Sequence, residues 1–77
     1  MNFQIYKLTD NKWNKIEIEK VKKDDIIKVF DLTKGGYLLN SNKTIISICV
    51  KGAYLDDKGG WNIDSNPYKI IKGDLNV

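Results

Sequence analysis

Phe3-Gln4-Ile5-Tyr6-Lys7-Leu8, then Thr9-Asp10-Asn11-Lys12, then Trp13-Asn14-Lys15-Ile16-Glu17-Ile18-Glu19: this opening stretch decides the fold class. The first and third segments alternate with period two, and Ile16 and Ile18 fall on one face with Glu17 and Glu19 on the other. Alternation of that kind is the mark of a half-buried strand. The polar segment between them has the composition of a tight turn. The stretch therefore predicts a β-hairpin.

The same arrangement recurs downstream. Tyr6 and Trp13, Phe30 and Tyr37, and Tyr54 and Trp61 each stand seven residues apart, and each pair follows the last by 24 positions. Turn residues lie inside every pair: Thr9 to Asn11, Thr33 to Gly36, and Asp57 to Gly60. The spacing predicts three hairpins, each setting aromatic rings opposite one another across the arms. A duplicated ancestor and three independent hairpins of similar length both explain the recurrence.

Further strands are expected at Ile26 to Phe30, at Tyr37 to Leu39 and at Trp61 to Ile63. Thr44 to Lys51, rich in β-branched residues, reads as the central and most buried strand. Val21 to Asp25 reads as a solvated connection, Gly52 as a bulge or bend, and Ser65-Asn66-Pro67 as a break before a short last strand from Tyr68 to Ile71. No segment carries a helical stripe. The expectation is an all-β fold: a small SH3-like barrel or compact sandwich of six to seven short antiparallel strands built from three hairpins. One domain spans residues 1–72, with 73–77 a frayed C-terminal tail.

Composition narrows the function classes. The chain has 77 residues, 13 basic against 10 acidic side chains, and a net charge of +3. All the basic residues are lysines, and there is no histidine. Without histidine there is no ready proton shuttle near neutral pH, and without arginine no bidentate fork for phosphates or guanine edges. The Lys20 to Lys23 run is cancelled by Asp24-Asp25. No apolar run is long enough to cross a membrane and no secretory signal opens the chain. The single cysteine, Cys49, reads as a small buried hydrophobe in a reducing, cytoplasmic compartment. A core this small makes assembly into a homo-oligomer the expectation.

Catalysis has little to stand on. The neighbouring carboxylates of Asp24-Asp25 and of Asp56-Asp57 point apart on a strand, or cap amides in a turn, and do not converge on one bond. Asp56 to Gly60 lacks the alternating oxygen ligands of a calcium loop. The glycine pairs open no phosphate-binding helix. Ser41, Ser47 and Ser65 have no histidine to serve as base. No catalytic residue, metal site or cofactor is expected.

The aromatics remain as the candidate surface. Strand alternation puts Trp13 with Lys15 on the polar face or at the barrel rim, and Trp61 stands beside Gly60 at a loop edge. Rings flanked by lysines stack bases, nucleotide ligands or partner side chains. The candidate ligand- or partner-binding residues are therefore Trp13, Tyr37, Trp61, Lys15 and Lys58.

Trp13, Ile16, Val21-Lys22-Lys23-Asp24-Asp25-Ile26-Ile27 and Phe30, with Tyr54-Leu55-Asp56-Asp57-Lys58-Gly59-Gly60-Trp61-Asn62-Ile63 and Asn66-Pro67-Tyr68, carry a resemblance over most of the chain. The chain resembles a group of short uncharacterised proteins encoded by phages and prophages of low-GC Gram-positive bacteria. Asp24 stands where that group has Gly, and Ala53 precedes Tyr54 where Pro is usual. The abundance of Lys, Asn and Ile, all with AT-rich codons, agrees with such a source. The resemblance implies a setting: a non-enzymatic accessory protein in the cytoplasm of the infected host. There it engages a host protein or sequesters a small nucleotide-like ligand, in counter-defence. The alternative is a lysine-rich nucleic-acid-binding β-barrel.

Overall fold

The computed structural model describes residues 3–68. Eight strands form two antiparallel sheets: β1 (Phe3–Thr9), β2 (Lys12–Ile16), β3 (Ile26–Asp31), β4 (Gly36–Tyr37), β5 (Ser47–Cys49), β6 (Tyr54–Leu55), β7 (Trp61–Asn62) and β8 (Ser65–Pro67). The six-stranded sheet runs β2-β1-β3-β5-β8, with β4 also paired to β3, and β6 and β7 form a second, two-stranded sheet. One short 3-10 turn, Ile18–Lys20, follows β2. The fold is all-β, a small sandwich- or barrel-like arrangement. The expected boundary at residue 72 and most of the expected last strand, Tyr68 to Ile71, lie outside the described residues.

Turn chemistry explains all three hairpins. Asp10 and Asn11 both take positive φ, at 52° and 62°. These values match the two-residue turn whose twist suits flanking strands, and Asp and Asn tolerate that backbone best after Gly. In the second hairpin Asp31 Oδ1 accepts from the Thr33 and Lys34 amides at 2.9 and 3.2 Å. In the third, Asp56 Oδ1 accepts from the Lys58 and Gly60 amides at 2.9 and 2.8 Å, and its other oxygen accepts from Asn62 Nδ2 at 2.9 Å. Those bonds, led by the one from Asn62, hold the Asp56 carboxyl below its ordinary pKa. All the sequence-level turns are present.

The pairing of rings across the arms differs from the expectation in two cases of three. Phe30 stands directly opposite Tyr37, edge to face with ring centroids 5.1 Å apart. Tyr6, however, faces Lys15, and Trp13 faces Leu8, so that pair is diagonal. Tyr54 faces Asn62 and Leu55 faces Trp61, which puts Tyr54 and Trp61 on opposite faces. The cause is turn length. Each turn sets its own register, so an equal sequence spacing gives a different cross-strand relation in each hairpin, and a one-residue change moves a side chain to the other face.

Three other expectations are corrected. The centre of the main sheet is β3, paired to β1, β4 and β5, and not the Thr44 to Lys51 segment, of which only Ser47–Cys49 is strand. There Asn40 competes for the backbone: its side chain donates to the Ile46 carbonyl and to Thr44 Oγ1, and accepts from Ser47 Oγ. Ser65-Asn66-Pro67 is not a break but β8, an edge strand against β5. Proline is admissible there because it needs no ladder donor on the open side. Finally, Val21 in the expected solvated connection is among the most buried residues. The Ala53 amide donates to the Val21 carbonyl at 3.0 Å. A Cβ at Gly52 would come within 3.3 Å of that same carbonyl oxygen, so glycine permits the close approach.

Ile5, Val21, Ile27 and Cys49 form the core, flanked by Ile16, Ile18, Val29, Ala53 and Ile63. Asp25 secures its edge, accepting from the Lys22 amide at 2.8 Å and pairing with Lys7 at 3.2 Å. The third hairpin meets this side of the main sheet through Ile63.

Candidate functional site

Strand alternation gives the main sheet two unlike faces. Ile5, Ile27 and Val29 point into the core. One residue along, Tyr6 on β1, Lys28 and Phe30 on β3, Trp13 and Lys15 on β2, and Tyr37 on β4 share the opposite face.

Lys28 is the centre of that second face. Its neighbours Ile27 and Val29 serve the core, so period two sends Lys28 the other way. It is only 6% exposed. Its ammonium lies 4.6 Å from the Trp13 ring centroid, 4.8 Å from Tyr37 and 6.0 Å from Tyr6. These are cation–π distances, and three π-faces partly replace the water the ammonium has lost. Among the described residues it makes no ion pair. The Tyr6 hydroxyl donates to Gln4 Oε1 at 2.8 Å, while the buried Trp13 Nε1 has no acceptor.

The core side carries a second feature. A cleft of about 630 Å³ opens between the main sheet and the third hairpin. Ile16, Val29, Ile45, Trp61 and Ile63 are in its walls, and Phe3, Leu32, Leu38 and Leu39 also line it. Those last four are exposed, Leu39 at 63%. Large apolar side chains clustered around a concavity are unusual on a solvated surface.

The five sequence-level candidates divide between these places. Trp13, Lys15 and Tyr37 come together on the Lys28 face. Trp13, expected on the polar face or at the barrel rim, lies half-buried on the edge strand β2 with its ring 4.6 Å from the Lys28 ammonium. Trp61 turns to the other side, into the cleft. Lys58 stands exposed in the Asp56 turn and joins neither group. Sequence reasoning missed Lys28 and Tyr6, since a lone lysine in a β-branched run gives no sign that three rings from three other strands will cover it. It also missed Leu38-Leu39, because Tyr37 to Leu39 reads as a strand, whereas β4 ends at Tyr37 and leaves both leucines exposed beyond it.

The other polar groups are occupied. Asp25, Asp31 and Asp56 each hold backbone amides. Burial, and then the charge of Asp25, pushes the Cys49 thiol up to about 11, so it is neutral at ordinary pH. On the third hairpin the Lys51 ammonium lies 4.2 Å from the Tyr54 ring centroid and 3.5 Å from Asp64. The Tyr54 hydroxyl donates to Asp64 Oδ1 at 3.1 Å, which raises its pKa. Among the described residues no group of acidic or cysteine side chains is placed to hold a metal ion, and no helix is long and apolar enough to cross a membrane. Comparison with protein-family models, with curated proteins and with solved structures gives no match.

Proposed function

We propose that this chain is a non-enzymatic binding module that engages a partner protein through the cleft between its main sheet and its third hairpin. The observation that carries the reading is the row of exposed Phe3, Leu32, Leu38 and Leu39 on a cleft of about 630 Å³. Burying a leucine side chain on binding contributes about 1.5–3 kcal/mol. A concavity lined this way suits a partner's apolar side chains better than the phosphates of a nucleotide-like ligand. In the setting that the phage resemblance implies, the partner is a host protein in the infected cell and the role is counter-defence. Asp25, Asp31 and Asp56 are engaged in holding backbone amides, which supports a binding role over catalysis.

Site-specific photo-crosslinking tests this. A benzoylphenylalanine placed at Leu39, expressed during infection, is expected to give one recurrent protein adduct. The same residue placed at Asp57, in the exposed third turn, is expected to give none. Adducts only with a second copy of the chain, only within the chain, or equal patterns from both positions would overturn the reading.

A further inference from the structure

We propose that the sheet face opposite the core is a stacking platform for single-stranded nucleic acid. The rings of Tyr6, Trp13, Phe30 and Tyr37 do not line the cleft, although Gln4, Lys15 and Lys28 border both surfaces, and the inference does not rest on a protein partner.

An antiparallel sheet with one buried face normally wets the other, and that face alternates to polar residues. Here the second face carries Tyr6, Trp13, Phe30 and Tyr37, all half-buried and none sealed. From β1 to β5 its remaining positions are Gln4, Leu8, Lys15, Ile26, Lys28 and Ile48, with no carboxylate among them. Asp25 and Asp31, adjacent in sequence to Ile26 and Phe30, are buried and accept from the backbone amides of Lys22 and of Thr33 and Lys34.

Charge selects the occupant. Lys15 is exposed directly across from Tyr6. Lys28 lies beneath the rings, and because no carboxylate neutralises it among the described residues, its positive field extends through them to whatever lies above. A ligand with negative charge and flat π-faces matches both features. Trp13 and Tyr37 lie on β2 and β4 but converge on the Lys28 ammonium at 4.6 and 4.8 Å, with Tyr6 at 6.0 Å beside them. Three rings on three strands offer more than one stacking position, which favours a strand over a mononucleotide. Unpaired bases expose their π-faces and duplexes do not, and this sheet has neither a groove-entering helix nor arginine for a duplex. Trp13 Nε1, a donor without an acceptor, gains a partner if the ring shifts to meet a base or phosphate.

Fluorescence anisotropy with a labelled oligothymidylate and a labelled oligouridylate, each about a dozen residues long, tests the proposal. Binding is expected at about 50 mM salt and is expected to weaken steeply by about 200 mM. Lys15→Glu, an exposed position that leaves the fold intact by circular dichroism, is expected to weaken it about tenfold or more. Lys58→Glu makes the same charge change off this face and is expected to stay within about twofold of the parent chain. Leu39→Glu, which disables the cleft, is expected to leave oligonucleotide binding unchanged. Absence of binding at low salt, equal losses from Lys15→Glu and Lys58→Glu, or equal binding of duplex DNA would overturn the proposal. So would competition by free thymidine monophosphate as effective as that by the oligomer.

Discussion

Lys28 is the position where the structure makes its sharpest energetic claim. Drying an ammonium costs several kcal/mol. The Trp13 ring at 4.6 Å and the Tyr37 ring at 4.8 Å are close enough for full cation–π attraction, and Tyr6 at 6.0 Å sits at its limit. A desolvated contact contributes about 2 kcal/mol and a marginal one about 0.5, so the three rings return roughly 4.5 kcal/mol. The two sides nearly cancel. Lys28→Met keeps the aliphatic stem and removes the charge, so its expected effect is small, within about 1 kcal/mol of the parent. Trp13→Leu leaves the ammonium in place without its best ring, and is expected to cost about 3 kcal/mol or more. In the Lys28→Met background the same Trp13→Leu change should cost about 1.5–2 kcal/mol less, because only the apolar loss remains. Urea denaturation of the four chains, followed by far-ultraviolet circular dichroism, measures that coupling. A parallel cycle with Lys28→Leu excludes contacts from the methionine sulfur. Coupling under about 0.5 kcal/mol in both cycles would refute the idea that the rings hold the ammonium.

Two further predictions concern the core and its edge. Asp25→Ala frees the Lys22 amide and strands Lys7, so it is expected to cost about 2–4 kcal/mol by urea denaturation, and a loss under about 1 kcal/mol would count against its role. The Cys49 thiol is raised from its ordinary 9.0 to about 11. The unfolded chain thus ionises at lower pH than the folded one, and the stability this group contributes is whole below about pH 9 and is lost as pH rises through about 11. The stability difference between the parent chain and Cys49→Ala should narrow across that window. A constant difference, or rapid reaction of the folded protein with a thiol reagent at neutral pH, would contradict the assignment.

The hairpins were legible because their signals are local. Asp10-Asn11, Thr33 to Gly36 and Asp56 to Gly60 each hold the turn chemistry within a few residues of one another. What the spacing of the rings could not convey was register, since Tyr6 and Trp13 look equivalent to Phe30 and Tyr37 until the turn length is set. The identity of the central strand was hidden for a similar reason. Thr44 to Lys51 has the stronger β-propensity, yet β3 takes the centre because both of its edges find partners, whereas Asn40 claims the backbone and side chains beside β5. Ser65-Asn66-Pro67 has the composition of a break, and only β5 at its side makes it a strand. At the candidate site, Trp13 and Lys15 were legible as neighbours through alternation on one strand. Tyr37 joined them through pairing that no local pattern encodes, and Trp61 stands apart because β7 belongs to the separate two-stranded sheet.

The two proposed surfaces follow from a single physical circumstance. Among the described residues, Ile5, Val21, Ile27 and Cys49 are the only buried hydrophobic side chains. A sheet this short cannot cover both of its apolar faces with its own chain. On one side the chain covers part of the face with the third hairpin and leaves Leu38 and Leu39 in solvent. On the other it folds three rings over a lysine, whose stem supplies apolar contact and whose charge keeps the face from being merely greasy. An uncharged residue at position 28 would leave a flat aromatic patch prone to unspecific association. The lysine makes the same patch selective for anions. The cleft is bordered by Lys15, Glu17 and Lys28, but Phe3, Leu32, Leu38 and Leu39 give it the exposed apolar surface that the rings lack. The two proposals thus call for different classes of partner, an apolar one at the cleft and an anionic one over the rings.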